Sequence, residues 1–196
     1  MRWNSRGLYA LLALAVTVIV SIWTPAPGEK AVTELLGSMP GDAIWEGFRN
    51  FVGVQWTFAL AVFVVMFAMY FFFPPREVMI PLAALAGGVM LVWILTSVVD
   101  RPTPGISGLV NTDSFPSEGA MMYAAWLGGV ALVCIRKVRS DLLRKTSVAV
   151  LVALIALGGV AWVESGAHWF LDVAGSWLWA TAWLTWLHVA TRGVSS

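Results

Sequence analysis

The stretch Glu164-Ser165-Gly166-Ala167-His168-Trp169-Phe170-Leu171-Asp172 brings polar groups into an otherwise apolar half of the sequence. If it is helical, Glu164, His168 and Asp172 recur one turn apart and share one face. A carboxylate one turn beyond an imidazole can accept its N–H, set its tautomer and make the other ring nitrogen a better nucleophile or base. The spacing therefore predicts an active site. The alternative is a set of interfacial polar residues at the mouth of an apolar segment.

The composition decides the class of protein. Of 196 residues, 59% are hydrophobic and only 12% are charged, and the mean hydropathy is +0.81, whereas about a quarter of the residues in a soluble domain are charged. These values indicate an integral membrane protein. The sequence has no basic patch with interleaved aromatic residues, so we expect no nucleic-acid partner. With Cys134 as the single cysteine, we expect no intramolecular disulfide, no metal and no cofactor.

Six apolar segments are long enough to cross a bilayer as helices, which satisfy every backbone polar group without water. They cover about Gly7–Trp23, Phe51–Phe73, Met79–Val99, Gly119–Ile135, Ser147–Val163 and Trp169–Val189. The sequence thus predicts an all-α fold, a six-transmembrane-helix bundle forming one domain over residues 1–196. We expect the first segment to be a retained anchor, because no small-residue cleavage site follows its long apolar run.

The basic residues predict the orientation of this bundle. With six spans both termini lie on one side, and nine of the twelve Lys and Arg residues fall on that side. These are Arg2, Arg6, Arg76, Arg136, Lys137, Arg139, Arg144, Lys145 and Arg192. By the positive-inside rule both termini are cytoplasmic. Most acidic residues fall on the opposite side, so we expect the chemistry to face away from the cytoplasm, in a bacterial inner membrane.

The first extracytoplasmic loop carries apolar residues at helical spacing. Lys30–Leu36 and Asp42–Phe48 show this pattern on either side of Pro40-Gly41. The pattern predicts two short amphipathic helices lying on the outer leaflet. A segment packed over the bundle is the alternative.

Three polar segments are expected at the same outer level of the membrane: Asp100-Arg101-Pro102, the Phe115-Pro116-Ser117 sequence that opens the fourth span, and the stretch around His168. Ser117 follows a proline and is typical of an N-cap, which leaves the positive end of the fourth helix near the outer face. An anion such as phosphate suits that place. Arg101 would add a planar fork that binds phosphate with two hydrogen bonds.

In this order, Arg101-Pro102, Phe115-Pro116-Ser117 and His168 with Asp172-Val173 resemble the type 2 phosphatidic acid phosphatase (PAP2) superfamily of membrane lipid phosphatases. The resemblance covers about residues 51–189. The family's motifs are a Lys before an Arg-Pro pair, a Pro-Ser-Gly-His, and a Ser-Arg followed by His and Asp. The resemblance implies that His168 attacks phosphorus to form a phosphohistidine and that Asp172 orients it. It also implies that Arg101 and Ser117 bind the phosphoryl oxygens.

Three family positions are replaced. Ile94 stands at the Lys position, Gly119 at the His of the second motif that protonates the leaving group, and Trp162 at the Arg of the third motif. Positioning and charge neutralisation supply most of the rate of phosphoryl transfer, so each loss is expected to cost orders of magnitude. Glu118 and Glu164 are the candidate replacement acids if burial raises their pKa. For each, a solvated surface carboxylate is the alternative.

Two functions from different classes follow. The first is a divergent lipid-phosphate phosphatase or phosphotransferase, whose substrate is a prenyl or glycerolipid phosphate or pyrophosphate in the membrane. The second is a catalytically inactive PAP2-like protein, a pseudoenzyme that serves as a binding or structural subunit of a membrane complex.

Tryptophans at helical spacing, Trp179, Trp183 and Trp186, make one face of the last span aromatic. Such a face can bind a partner protein or a lipid tail. Interfacial anchoring and helix packing are the alternative explanation for membrane tryptophans.

Overall fold

The computed structural model describes residues 5–38, 47, 55–104 and 113–191. These residues form seven helices and no strand. The helices are α1 (Ser5–Ile22), α2 (Glu29–Gly37), α3 (Gln55–Phe72), α4 (Pro75–Thr96), α5 (Glu118–Lys137), α6 (Asp141–Glu164) and α7 (Phe170–Ala190). The all-α prediction is therefore confirmed for this part of the chain.

Three helices, α4, α5 and α6, are long and apolar enough to cross a membrane, and Gly7–Ile22 and Trp56–Phe72 are shorter apolar helices. Apolar side chains such as Phe63, Phe72 and Trp93 are exposed on the outside of the bundle, as a helix facing hydrocarbon requires. The predicted number of six spans is not decided by these lengths and stays a prediction.

Helix α5 is the centre of the bundle, because α4, α6 and α7 all pack against it, while α1 packs along α7. Small residues allow these close approaches. A Cβ atom added at Gly129 of α5 would lie 2.7 Å from the Cα of Pro81 on α4, and one added at Gly88 would lie 2.8 Å from the Cβ of Ala125. Gly87 is covered by the indole of Trp183 in the same way.

The ends of the helices follow local sequence signals. Ser117 is the N-cap of α5 and accepts the Ala120 N–H at 3.4 Å, as predicted, and Ser140 caps α6 through the Leu143 N–H. Pro74-Pro75 forms the tight connection between α3 and α4.

The stretch around His168 is not helical throughout, so the condition for the shared face of Glu164, His168 and Asp172 is not met. Helix α6 ends at Glu164, and the chain turns over residues 165–169 before α7 begins at Phe170. The physical reason is Gly166, whose φ of 68° lies in the left-handed region that glycine occupies without steric cost and that commonly ends a helix. The i, i+4, i+8 face of Glu164, His168 and Asp172 therefore does not exist.

Helix α2 corresponds to the first of the two predicted short helices, Lys30–Leu36. Its Glu29 and Thr33 side chains are buried, and it packs on α6 and α7. This is the arrangement of a segment packed over the bundle, the alternative to one lying free on the outer leaflet. The second predicted helix, Asp42–Phe48, lies outside the described residues apart from Gly47.

Candidate functional site

The turn that contains His168, the residues after α4 and the start of α5 meet at one end of the bundle, as the sequence predicted. At the other end Glu77, at the start of α4, contacts Lys137, at the end of α5, at 3.0 Å. Arg136 contacts His188, near the end of α7, at 2.8 Å. The end of the bundle that holds His168 is therefore separated from Arg136 and Lys137 by the length of the helices.

Arg101 lies at the centre of the site and is completely buried. Its guanidinium Nη1 donates to Asp172 Oδ1, and Nη2 donates to Glu29 Oε2 at 2.5 Å. Its Nε donates to Thr24 Oγ1 at 3.4 Å. The ring of Trp169 covers the guanidinium, with a distance of 5.8 Å from Cζ to the ring centroid. One permanent cation is thus shared by two carboxylates and shielded from solvent.

Asp172 occupies the first turn of α7, where its carboxylate accepts the Trp169 N–H at 2.8 Å. The hydroxyl of Ser114 also donates to Asp172 Oδ2. With Arg101, these donors satisfy a carboxylate that is itself completely buried. Its position at a helix N-terminus is electrostatically favourable.

His168 does not pair with Asp172 in the expected way. The Nδ1 atom lies 3.9 Å from Asp172 Oδ2 and instead donates its proton to the carbonyl oxygen of Ser114 at 2.9 Å. Because a carbonyl only accepts, the neutral ring has its proton on Nδ1 and its lone pair on Nε2. Burial lowers the pKa of His168 to about 4, so the ring is neutral at pH 7.

Ser117 lies beside Asp172, since its backbone N–H approaches the Asp172 carbonyl at 3.5 Å. Its hydroxyl oxygen caps α5, and its carbonyl accepts from Ser176 at 3.1 Å. The buried Ser117 side chain thus has a structural role in this arrangement.

The two candidate acids do not share one environment. Glu118 is exposed at the first residue of α5, which matches the surface-carboxylate alternative. Glu164 is partly buried at the last residue of α6.

Of the three residues expected to differ from the PAP2 motifs, Trp162 lies beside His168 and Gly119 lies beside Trp162. A Cβ atom at Gly119 would lie 2.5 Å from Nε1 of Trp162, so the indole occupies the space beside residue 119. The same indole meets the His168 ring edge-on, with centroids 5.9 Å apart. Within the described part of the chain, Trp162 Nε1 has no hydrogen-bond partner. Ile94 is 42% exposed on α4.

Sequence reasoning missed Glu29 and Ser114. Ser114 precedes the Phe115-Pro116-Ser117 motif directly, and that adjacency was a usable signal. Glu29 had no such signal, because it is one of several acidic residues in a loop. In the part of the chain that the structure describes, no group of three or more His, Cys, Asp or Glu side chains could hold a metal ion.

Comparison with known proteins agrees with this architecture. No curated protein matches the sequence. A solved structure, the crystal structure of a transmembrane PAP2-type phosphatidylglycerolphosphate phosphatase from Bacillus subtilis, is similar over 97% of each chain with a TM-score of 0.79. The two chains are 15% identical, so this likeness shows the fold alone. The sequence profile of the PAP2 superfamily matches residues 77–194, which is more than half of the protein. This chain therefore belongs to the PAP2 superfamily.

Proposed function

We propose that this chain is a PAP2-fold integral membrane protein that no longer transfers phosphoryl groups and acts as a binding or structural subunit of a membrane assembly. The observation that carries the proposal is the position of Arg101 between Glu29 and Asp172. A residue that binds a phosphate dianion must offer it uncompensated positive charge. Here two carboxylates already neutralise the one guanidinium of Arg101. A phosphate approaching Arg101 would be repelled unless a carboxylate moved away.

The replaced positions support the same conclusion. Ile94 and Trp162 supply no cation where the family has Lys and Arg, and Gly119 supplies no proton for a leaving group. Phosphoryl transfer depends on positioning and on neutralising charge in the transition state. The remaining residues around His168 offer neither in the observed arrangement.

The test is phosphate release by the purified full-length protein in lipid–detergent micelles. The substrates are a prenyl pyrophosphate, a prenyl phosphate, phosphatidic acid and phosphatidylglycerolphosphate, with an active PAP2 phosphatase as the positive control. We expect release no greater than that of His168→Ala. Release that depends on His168 would overturn the proposal.

A second candidate function is a lipid-phosphate phosphatase or phosphotransferase that acts through a phosphohistidine. The state of His168 favours it, since the unprotonated Nε2 of a neutral ring is the form that attacks phosphorus. In this mechanism Asp172 and Ser114 would hold the His168 ring in place. Arg101 and Ser117 would bind the phosphoryl group. Glu118 or Glu164 would protonate the leaving oxygen. Rapid acid-free quenching with ³²P-labelled substrate would trap a base-stable phosphohistidine, and its absence counts against this candidate.

We propose further that the chain is a single domain over residues 1–196 with six spans and both termini in the cytoplasm, in a bacterial inner membrane. The distribution of basic residues supports this orientation, and so does the separation of the His168 end from the Arg136–Lys137 end. Reporter fusions after residues 38, 74 and 138 give the test. Activity of an extracytoplasmic reporter is expected only for the first, and any other pattern contradicts the topology.

The surface formed by Trp179, Trp183 and Trp186 remains a proposed contact for a partner protein or lipid. Trp186 is its outer member, at 57% exposure, and stacks on Trp183 with centroids 4.9 Å apart. If this surface recruits a partner, Trp186→Ala releases the partner from the native complex while His168→Ala does not.

A further inference from the structure

One face of α2 is turned toward the site, and its residues lie at i, i+4 and i+7. Glu29 and Thr33 are 4% and 2% exposed. Leu36 packs on the cluster formed by Ala120, Val163 and Val173. The opposite face is solvated: Lys30 and Glu34 form an exposed pair at 3.8 Å, and Leu35 is 68% exposed. This short helix thus contacts the bundle through a single face.

Glu29 makes the strongest contacts on that face. Its carboxylate accepts from Arg101 Nη2 at 2.5 Å and from two backbone N–H groups at 2.9 Å each, those of Ala26 and Leu171. Hydrogen bonds to a charged group are stronger than neutral ones. Thr33 adds one longer contact, in which its hydroxyl accepts the Phe170 N–H at 3.3 Å. The Ala26 bond lies within the same segment, so the polar attachment of α2 to the bundle depends mainly on the bonds from Glu29 to Arg101 and Leu171.

The charge balance of the cluster allows that attachment to be broken. Arg101 and Asp172 pair one positive charge with one negative charge, and the Ser114 hydroxyl donates a further hydrogen bond to Asp172. If Glu29 leaves, one buried cation and one buried anion remain together, and no buried charge loses its only partner. This differs from an ordinary buried ion pair, in which removal of one member leaves the other uncompensated.

From these contacts we propose that α2 is a cap over the Arg101–Asp172 site and that the Glu29 carboxylate is the latch that holds it closed. When Glu29 is bound, Arg101 and the first turn of α7 are shielded from solvent. When Glu29 is released, α2 moves away while α5, α6 and α7 stay packed, and Arg101 becomes accessible from that side. The cap is a property of the fold and does not depend on whether the site performs chemistry.

Cysteine accessibility tests the proposal. All variants have Cys134→Ala, which removes the native thiol, and each carries one new cysteine. Thr33→Cys reports on the covered face of α2, and Leu35→Cys on its exposed face.

The purified full-length protein in detergent micelles is treated with a maleimide. We expect Thr33→Cys to react much more slowly than Leu35→Cys. Adding Glu29→Ala should speed its reaction about tenfold or more, because local opening then requires fewer charged contacts to break.

Two controls separate cap opening from general damage. Glu34→Ala removes a carboxylate from the exposed face of the same helix and should leave the Thr33→Cys rate unchanged. Ser176→Cys reports on α7 below the cap, since Ser176 is completely buried; it should stay unreactive with or without Glu29. If Glu29→Ala itself prevents folding, Glu29→Gln keeps the shape but turns an amide N–H toward donors and also weakens the latch.

The cap proposal is wrong if Thr33→Cys reacts with maleimide at the same rate with and without Glu29. It is also wrong if Glu29→Ala makes Ser176→Cys reactive together with Thr33→Cys. Equal Thr33→Cys and Leu35→Cys rates in the protein with Glu29 would overturn it too. Phosphate release measured on Glu29→Ala separates this inference from the proposed function. His168-dependent release with faster Thr33→Cys labelling would support the cap and refute the loss of catalysis.

Discussion

The indole of Trp162 lies against the backbone of Gly119, so close that a Cβ atom on residue 119 would come within 2.5 Å of its Nε1 and Cε2 atoms. The resemblance to the PAP2 motifs implies a cation at residue 162 and an acid at residue 119 in other members of the family. Each replacement fits the other, because the large ring needs a neighbour without a side chain. The pair therefore forms one packed contact next to His168.

Gly119→Ala is expected to destabilise the protein by about 1–3 kcal/mol, since the added methyl group overlaps the Trp162 ring. The double variant Gly119→Ala with Trp162→Ala should be less destabilised than the sum of the two single variants, because the methyl then has space. Thermal unfolding in detergent micelles, followed by tryptophan fluorescence, gives the values. Gly158→Ala is the matched control: a Cβ there meets nothing within 4 Å, so it should be neutral or slightly stabilising. Additive effects would contradict the packing of this pair.

Loss of the Arg101 guanidinium should be among the most costly single changes in the chain. Arg101→Gln leaves Glu29 and Asp172 buried without a cation, which typically costs about 3–5 kcal/mol. Arg101→Lys keeps the charge but cannot reach both carboxylates with one planar fork, so an intermediate loss is expected. Lys30→Ala, which removes an exposed pair with Glu34, should change the unfolding free energy by about 1 kcal/mol or less. A small effect of Arg101→Gln would show that the buried cluster does not support the fold.

The helices were predictable from the sequence, and the ion cluster was not. Long apolar runs permit few structures other than helices in a bilayer, and the Pro116-Ser117 signal identified the start of α5 correctly. Glu29 and Arg101 are 72 residues apart, and no local pattern distinguishes an acidic loop residue that will be buried from one that will be solvated. Their contact depends on how α2 folds over α6 and α7, which is decided by tertiary packing.

The position of His168 was misjudged for a different reason. The spacing would put it on one face with Glu164 and Asp172 only if the stretch were helical, and Gly166 between them is a common helix terminator. The histidine therefore bonds to the Ser114 carbonyl from a turn. The contacts of Trp162 with Gly119 were not foreseen in detail, because the depth of an indole in a bundle depends on the spacing of several helices.

Trp183→Ala is expected to destabilise the bundle by up to about 3–5 kcal/mol, because it removes a half-buried indole that packs on α4. The Trp183 indole covers Gly87, where an added Cβ would lie 2.0 Å away, and its Nε1 donates to the Ala84 carbonyl at 3.2 Å. Trp186→Ala is the control on the same face and should cost much less, since Trp186 is largely exposed. Thermal unfolding distinguishes the two. Equal losses would mean that Trp183 does not join α7 to α4 in this way.

The state of His168 predicts a loss of stability in mild acid. Its pKa falls from 6.5 to about 4 on folding because burial disfavours the charged ring. The unfolded chain therefore binds a proton more readily than the folded one, and this group's contribution is fully present above pH 6.5 and is lost as the pH falls toward 4. A shift of that size corresponds to about 3 kcal/mol at most.

His168→Gln cannot take up the proton, so its melting temperature should fall less between pH 7.5 and pH 4.5 than that of the unchanged protein. The carboxylates are common to both proteins, so the difference between the two pH profiles isolates the histidine. Parallel profiles would mean that folding does not lower the pKa of His168 and that the ring can become charged in the folded state.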